Sequence, residues 1–320
     1  MDIMSVLALG TGISVFMLGM LCIKYSLGEN FSGKSEELLN KFTSGRFSAV
    51  AVGTVATAIL QSSSASSVIT AALADKGVLS LYRAFWIIAG ANLGTTFTGL
   101  LTAVSFSEIA PSFCIAGIAL ISLTKGKRLH GCGVFLTGLG LLFVGMNIME
   151  GAVGNIKNSP FVYNVLVRSS APLTGILTGS FFTALFQSSA AVTALLQAMA
   201  YDGIIGISQA FYIILGSNIG TCATCFIASM GLGGAAKKVA LMHIVYNLAG
   251  ALFFIILAFF VPLPEIAERF FTGNIKMQIG FLNVLFNGIS VFLVLFLPIK
   301  ENNSKKQHLH FTFPVLKYIR

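Results

Sequence analysis

Charge is scarce in this chain. Of 320 residues, 10% are Asp, Glu, Lys or Arg, against about 25% in soluble globular domains. With 56% hydrophobic residues and a mean hydropathy of +0.88, that scarcity excludes a soluble domain and indicates an all-α polytopic membrane protein. Acids are scarcer still, at eleven. Asp75, Asp202, Glu108, Glu150, Glu265 and Glu268 map to loops or helix ends, so no carboxylate relay of the kind a proton pump uses runs through the apolar segments. Cysteine is limited to five residues. Cys222-Ala-Thr-Cys225 has neither a second pair nor a soluble setting, which argues against a zinc or redox centre. The formal charge of +9 comes from cations in loops and implies no nucleic-acid partner.

Long apolar runs fill the rest: Val6–Ile23, Ala84–Val104, Phe113–Leu123, Val134–Met149, Phe211–Ser229, Val239–Val261 and Ile279–Leu297. They predict about seven spanning helices. The first has no basic region before it and no cleavage site before Lys24, so it is read as a retained helix. Trp86 is read as an interfacial anchor.

An internal duplication organises the chain. Shifted by 126 residues, Gln61-Ser62-Ser63 falls on Gln187-Ser188-Ser189, and Gly90-x-Asn92-x-Gly94-Thr95 on Gly216-x-Asn218-x-Gly220-Thr221. The register extends upstream, where Gly19-Met20 matches Gly145-Met146. Between the apolar runs, Ser48–Leu60 and Ala65–Ala74 are each too short to span, and a serine-rich turn joins them. If they form a re-entrant hairpin, Lys76 and Arg83 stay on the same side as Lys24, Lys34, Lys41 and Arg46. Most Lys and Arg, including the basic tail, are then cytoplasmic. Three spans separate the copies, so the two repeats are expected to be inverted, as in many secondary transporters. The expected organisation is a transmembrane domain over 1–298 (repeat 1 about 6–124, repeat 2 about 132–262, an extra helix about 277–298) and a cytoplasmic basic tail over 299–320.

Thr54, Thr57 and Gln61 share one helical face, and Ser180, Thr183 and Gln187 repeat it. Each hairpin turn would expose amides at the N-terminus of its second limb, an anion site that needs no Lys or Arg. Carbonyl, hydroxyl and amide oxygens nearby suit a hard cation such as Na⁺. Two glycines flanking an asparagine in each Gly-x-Asn-x-Gly-Thr segment suggest local unwinding. For any one serine or glycine, helix packing is the plainer reading; for the duplicated Gln-Ser-Ser pair, a substrate site is favoured. His243, Tyr246 and Asn247, one turn apart, are read as a helix-packing hydrogen-bond group.

The paired Gln-Ser-Ser and Gly-x-Asn-x-Gly-Thr motifs resemble those of the sodium-dependent inorganic phosphate cotransporters of the type II family, in its bacterial branch and without a C-terminal PhoU-like domain. The resemblance covers roughly Val6 to Leu297. It implies Na⁺-coupled phosphate transport by alternating access across the bacterial inner membrane, with no enzymatic activity and no bound cofactor. By motif, Gln61, Ser62, Ser63, Ser64, Gln187, Ser188 and Ser189 are assigned to substrate or ion contact, followed by Asn92, Thr95, Asn218, Thr221, Thr54 and Thr183. Ala190 replaces a third serine in the second copy, and Cys222 stands where the first has Thr96, so unequal contributions are expected. A non-transporting scaffold or phosphate sensor is the alternative. An intramembrane protease pairing a serine with His243 is disfavoured, because its nucleophile would need a Gly-x-Ser-type turn. Homo-oligomerisation is left open.

Overall fold

The computed structural model describes residues 3–28, 42–104, 109–124, 126–156 and 171–298. Lys34, Lys41, Glu108, Lys125 and the 299–320 tail lie outside them. The regular elements of the described residues are helices: α1 Ile3–Gly28, α2 Arg46–Leu60, α3 Ser63–Asp75, α4 Leu81–Ala103, α5 Ala110–Leu123, α6 Lys127–Ile156, α7 Pro172–Phe186, α8 Ser189–Tyr201, α9 Ile207–Gly220, α10 Cys222–Met230, α11 Gly234–Ala258, α12 Leu263–Phe270 and α13 Ile275–Leu295. Six are long and apolar enough to cross a membrane, counting α9 and α10 as one. The seventh expected span, α5, has 14 residues and reaches about 21 Å, short of the roughly 30 Å hydrocarbon core.

Small residues set how the helices approach. Between α1 and α6, a Cβ on Gly19 would meet the Gly138 carbonyl oxygen at 2.6 Å, and one on Gly145 would meet the Phe16 backbone. In lipid, where burial of apolar surface between helices gains little, such close contact is what holds them together. Gly117 and Gly140 bring α5 against α6 in the same way. These three helices form a panel beside the remainder of the molecule.

The Gly-x-Asn-x-Gly-Thr segments also serve packing, which corrects the expected unwinding. α4 runs unbroken through Gly90 and Gly94, and Thr221, between α9 and α10, keeps helical angles of φ −58° and ψ −28°. The glycines instead admit a neighbouring backbone. A Cβ at Gly90 would strike the Val50 carbonyl oxygen, and one at Gly53 that of Ile87. In the second copy the same clashes join Gly216 to Ile176 and Gly179 to Ile213. A Cβ at Gly94 would meet the Thr54 carbonyl oxygen as one at Gly90 meets that of Val50, and Gly220 and Gly216 repeat this against Ser180 and Ile176; partners four residues on along one helix are four residues on along the other, so α2 lies parallel to α4, and α7 parallel to α9. In each case the intervening helix, α3 or α8, carries the chain back.

Trp86 is fully buried, in edge-to-face contact with Phe85 at 5.1 Å. It belongs to the core shared by α2, α3, α4 and α11 and is not an interfacial anchor.

Candidate functional site

Each Gln-Ser-Ser triplet makes the same backbone break. Gln61 ends α2 in the left-handed region at φ 53°, and Gln187 ends α7 at φ 52°. A non-glycine residue there is uncommon and costs free energy, so the surroundings must hold it. The next residue turns extended and becomes an N-cap. The Ser62 hydroxyl oxygen accepts from the Ala65 amide at 3.1 Å, and that of Ser188 from the Ala191 amide at 3.1 Å. The amides of Ser63 and Ser64, and of Ser189 and Ala190, precede the first intrahelical bond and are left open at the two helix starts.

The two breaks meet. The Ser64 hydroxyl donates to the Gln187 carbonyl at 3.5 Å, and a cavity of about 130 Å³ lies between them. Its polar wall is Gln61, Ser62, Ser63, Ser64 and Thr95 from one side, and Gln187, Ser188 and Ser189 from the other. Met17, Met20 and Leu21 of α1 close it with an apolar wall. Its volume is about four times one water's share of the liquid. Among the described residues no charged side chain lines it, so the positive potential they supply comes from the two helix N-termini, worth about half an elementary charge each.

Eight of the thirteen expected site residues therefore line one cavity, and five do not. Thr54 donates to the Val50 and Gly90 carbonyls at 2.9 and 3.1 Å. Thr183 donates to the Ser217 hydroxyl at 2.7 Å, and Thr221 to the Ser217 carbonyl at 3.0 Å. The Asn92 amide donates to Asn247 Oδ1 at 2.7 Å, and its own oxygen lies 3.3 Å from His243 Nε2. Asn218 donates to the Ile214 carbonyl at 2.9 Å and lies 3.4 Å from Asn283 Oδ1. These five bond neighbouring helices or their own. The expected packing role of His243 and Asn247 matches these bonds, whereas the Tyr246 hydroxyl has no partner among the described residues.

The polar stripe has mixed duties too. The Thr57 hydroxyl ties α2 to α3 through Ser66 at 2.8 Å. Gln61 is steadied from both ends: its Nε2 donates to the Ala58 carbonyl at 2.7 Å, and its Oε1 accepts from the Thr98 hydroxyl at 2.6 Å. Gln187, by contrast, is exposed to the cavity mouth. The α1 wall was not anticipated, although Met20 sits in the Gly-Met pair that the duplication repeats.

The chain is similar to several known proteins. The chain is 33% identical over 298 residues to the uncharacterized protein YqeW of Bacillus subtilis, covering 92% of this chain and 94% of that one. It is 24% identical over 289 residues to the putative inorganic phosphate export protein YjbB of Salmonella typhimurium, covering 89% of this chain and 52% of that protein. The chain thus spans about half the length of YjbB. A 116-residue stretch, 35% of this chain, is 34% identical to 19% of the mouse sodium-dependent phosphate transport protein 2C. No solved structure matches. The Na⁺/Pi-cotransporter family profile matches residues 15–151 and 162–292, and the chain is a multi-pass membrane protein belonging to that family, one of transporters and not of enzymes.

Proposed function

We propose that the protein couples Na⁺ to the movement of inorganic phosphate, which binds between the two Gln-Ser-Ser breaks. The observation that carries this reading is the convergence of two capped helix N-termini on one neutral cavity. An oxyanion there would meet open amides and serine hydroxyls, donors that recognise oxygens without a salt bridge. The combined N-terminal charge of about +1 falls short of a multiply charged phosphate. A co-bound cation makes up the difference. Carbonyl, hydroxyl and glutamine oxygens at the same breaks suit Na⁺, and the described residues that line the cavity include no carboxylate for a proton to use.

In this reading α2–α3 and α7–α8 are re-entrant hairpins of two inverted repeats. Contacts at the ends of α13 support it. Arg46, at the start of α2, donates to the Leu295 carbonyl at 2.6 Å, at the C-terminal end of α13. Near the end of α8, Gln197 donates to the Lys276 carbonyl at 3.2 Å, and Lys276 Nζ stands 4.3 Å from the Tyr201 ring centre; Lys276 lies at the N-terminal end of α13. The two pairs so approach the cavity from opposite ends. The α1 panel, joined to the rest through few elements, is the surface against which the hairpin body would rock to alternate access.

Binding of radiolabelled phosphate to purified protein, with Na⁺ or with K⁺ at equal ionic strength, tests the site. Na⁺-dependent binding that is lost in Gln187→Ala but kept in Thr54→Ala supports it. Equal binding in both ions, or no effect of Gln187→Ala, removes it.

A further inference from the structure

A second concavity lies on the outer face of the helices, away from the serine cavity. It is a groove of about 150 Å³ between α11 and α13, floored by Phe85 of α4 and bounded by Met242, Tyr246, Phe253, Ser290 and Leu297.

Charge at one end sets it apart from ordinary lipid-facing surface. α11 and α13 run antiparallel: Gly250 packs on Ser290, while Met242 and Leu297 line the opposite end of the groove. At that end Arg46 Nη1 donates to the Leu295 and Leu297 carbonyls. Lys238 lies one helical turn beyond Met242, on the stripe continued by Val245, Ala249 and Phe253, all of which line the groove. The Asp75 carboxylate accepts from the Gly233 amide at 2.8 Å, which brings Lys76 to the same end. An apolar channel about 16 Å long from Met242 to Phe253 thus opens at a cluster of cations.

We propose that this groove is a binding site for an anionic phospholipid of the bilayer. One acyl chain lies along the α11 stripe, and the phosphate sits among Lys238, Arg46 and Lys76. Basic residues at a membrane surface favour anionic headgroups by about fivefold in affinity each. The proposal stands apart from phosphate transport and does not depend on it.

The molecule carries its own reporter. Trp86 is its single tryptophan and touches Phe85 at 5.1 Å, which in turn touches Tyr246 at 6.0 Å. The full chain would be reconstituted in phosphatidylcholine vesicles containing a rising fraction of brominated phosphatidylglycerol or of brominated phosphatidylcholine, whose bromines quench tryptophan at short range. The proposal expects half-maximal quenching at a mole fraction at least about fivefold lower for the anionic lipid, the contribution of a single cation. Lys238→Gln should reduce that preference, and Ala249→Phe, which fills the groove, should weaken quenching by both lipids. Unchanged emission of each variant in unbrominated vesicles certifies its fold; if Ala249→Phe fails that check, Lys238→Gln decides. Added inorganic phosphate should change nothing, since its site is the other cavity. Equal quenching by the two lipids, or a preference unaffected by Lys238→Gln, overturns the proposal.

Discussion

Gly90→Ala is the most informative single perturbation of the fold. An ideal Cβ at Gly90 lies 2.8 and 2.9 Å from the Val50 carbonyl carbon and Cα, besides striking the carbonyl oxygen. Carbon atoms in good contact sit about 3.5–4.0 Å apart, so α2 must withdraw by about 1 Å. The obstruction is backbone, which no rotamer change relieves. Overpacking of this kind costs about 1–3 kcal/mol. Because α2 ends at Gln61, the shift also reaches the cavity, where a displacement of about 1 Å at a binding site can lower turnover roughly 100-fold. Gly216→Ala, facing Ile176, should do the same from the other side. Gly10→Ala is the control: it meets nothing within 4 Å, and a helix gains about 1 kcal/mol from the exchange. Thermal unfolding in detergent and phosphate uptake into proteoliposomes read the two effects. Wild-type stability and flux in Gly90→Ala and Gly216→Ala would refute the packing argument.

Further outcomes separate structural from functional roles. Ser188→Ala should lower stability by about 1 kcal/mol through loss of its cap, whereas Ser188→Asp keeps a capping oxygen, holds its melting temperature, and abolishes phosphate binding by placing a negative charge in the cavity. Asn92→Ala should destabilise by about 1–3 kcal/mol by leaving Asn247 and His243 without their partner, while the KM for phosphate stays unchanged; a raised KM would return Asn92 to the site. The Lys276 ammonium and Glu150 carboxylate, 2.6 Å apart with side chains 6% and 16% exposed, should show non-additivity. Glu150→Gln alone should cost about 3 kcal/mol, and Glu150→Gln with Lys276→Met should recover part of it on a thermal melt.

Much of this was legible in the sequence, for definite reasons. Repetition exposed Gln61-Ser62-Ser63 and Gln187-Ser188-Ser189, because a left-handed residue followed by an N-capping serine is a local device that the same letters rebuild wherever they recur. The glycines of the second motif were also visible, but not their duty. A glycine pair reads equally as a weak helix or as a close contact, and only the Val50 and Ile176 backbones decide between them. Asn92 and Asn218 pose a related ambiguity, since an intramembrane amide bonded to a neighbouring helix looks in sequence like one that awaits a ligand. The burial of Trp86 depends on neighbours far along the chain. So does the apolar wall from α1, where Met17 and Met20 carry no chemical signature of their own.

The central claim is coupling between Na⁺ and phosphate, and uptake of radiolabelled phosphate into proteoliposomes tests it most directly. Wild-type protein and Gln187→Ala would be compared under inward gradients of Na⁺, K⁺ and H⁺ of equal size. The account expects accumulation under the Na⁺ gradient alone and its loss in Gln187→Ala. Accumulation driven equally by K⁺ or H⁺, or no flux under any gradient from folded protein, would contradict it.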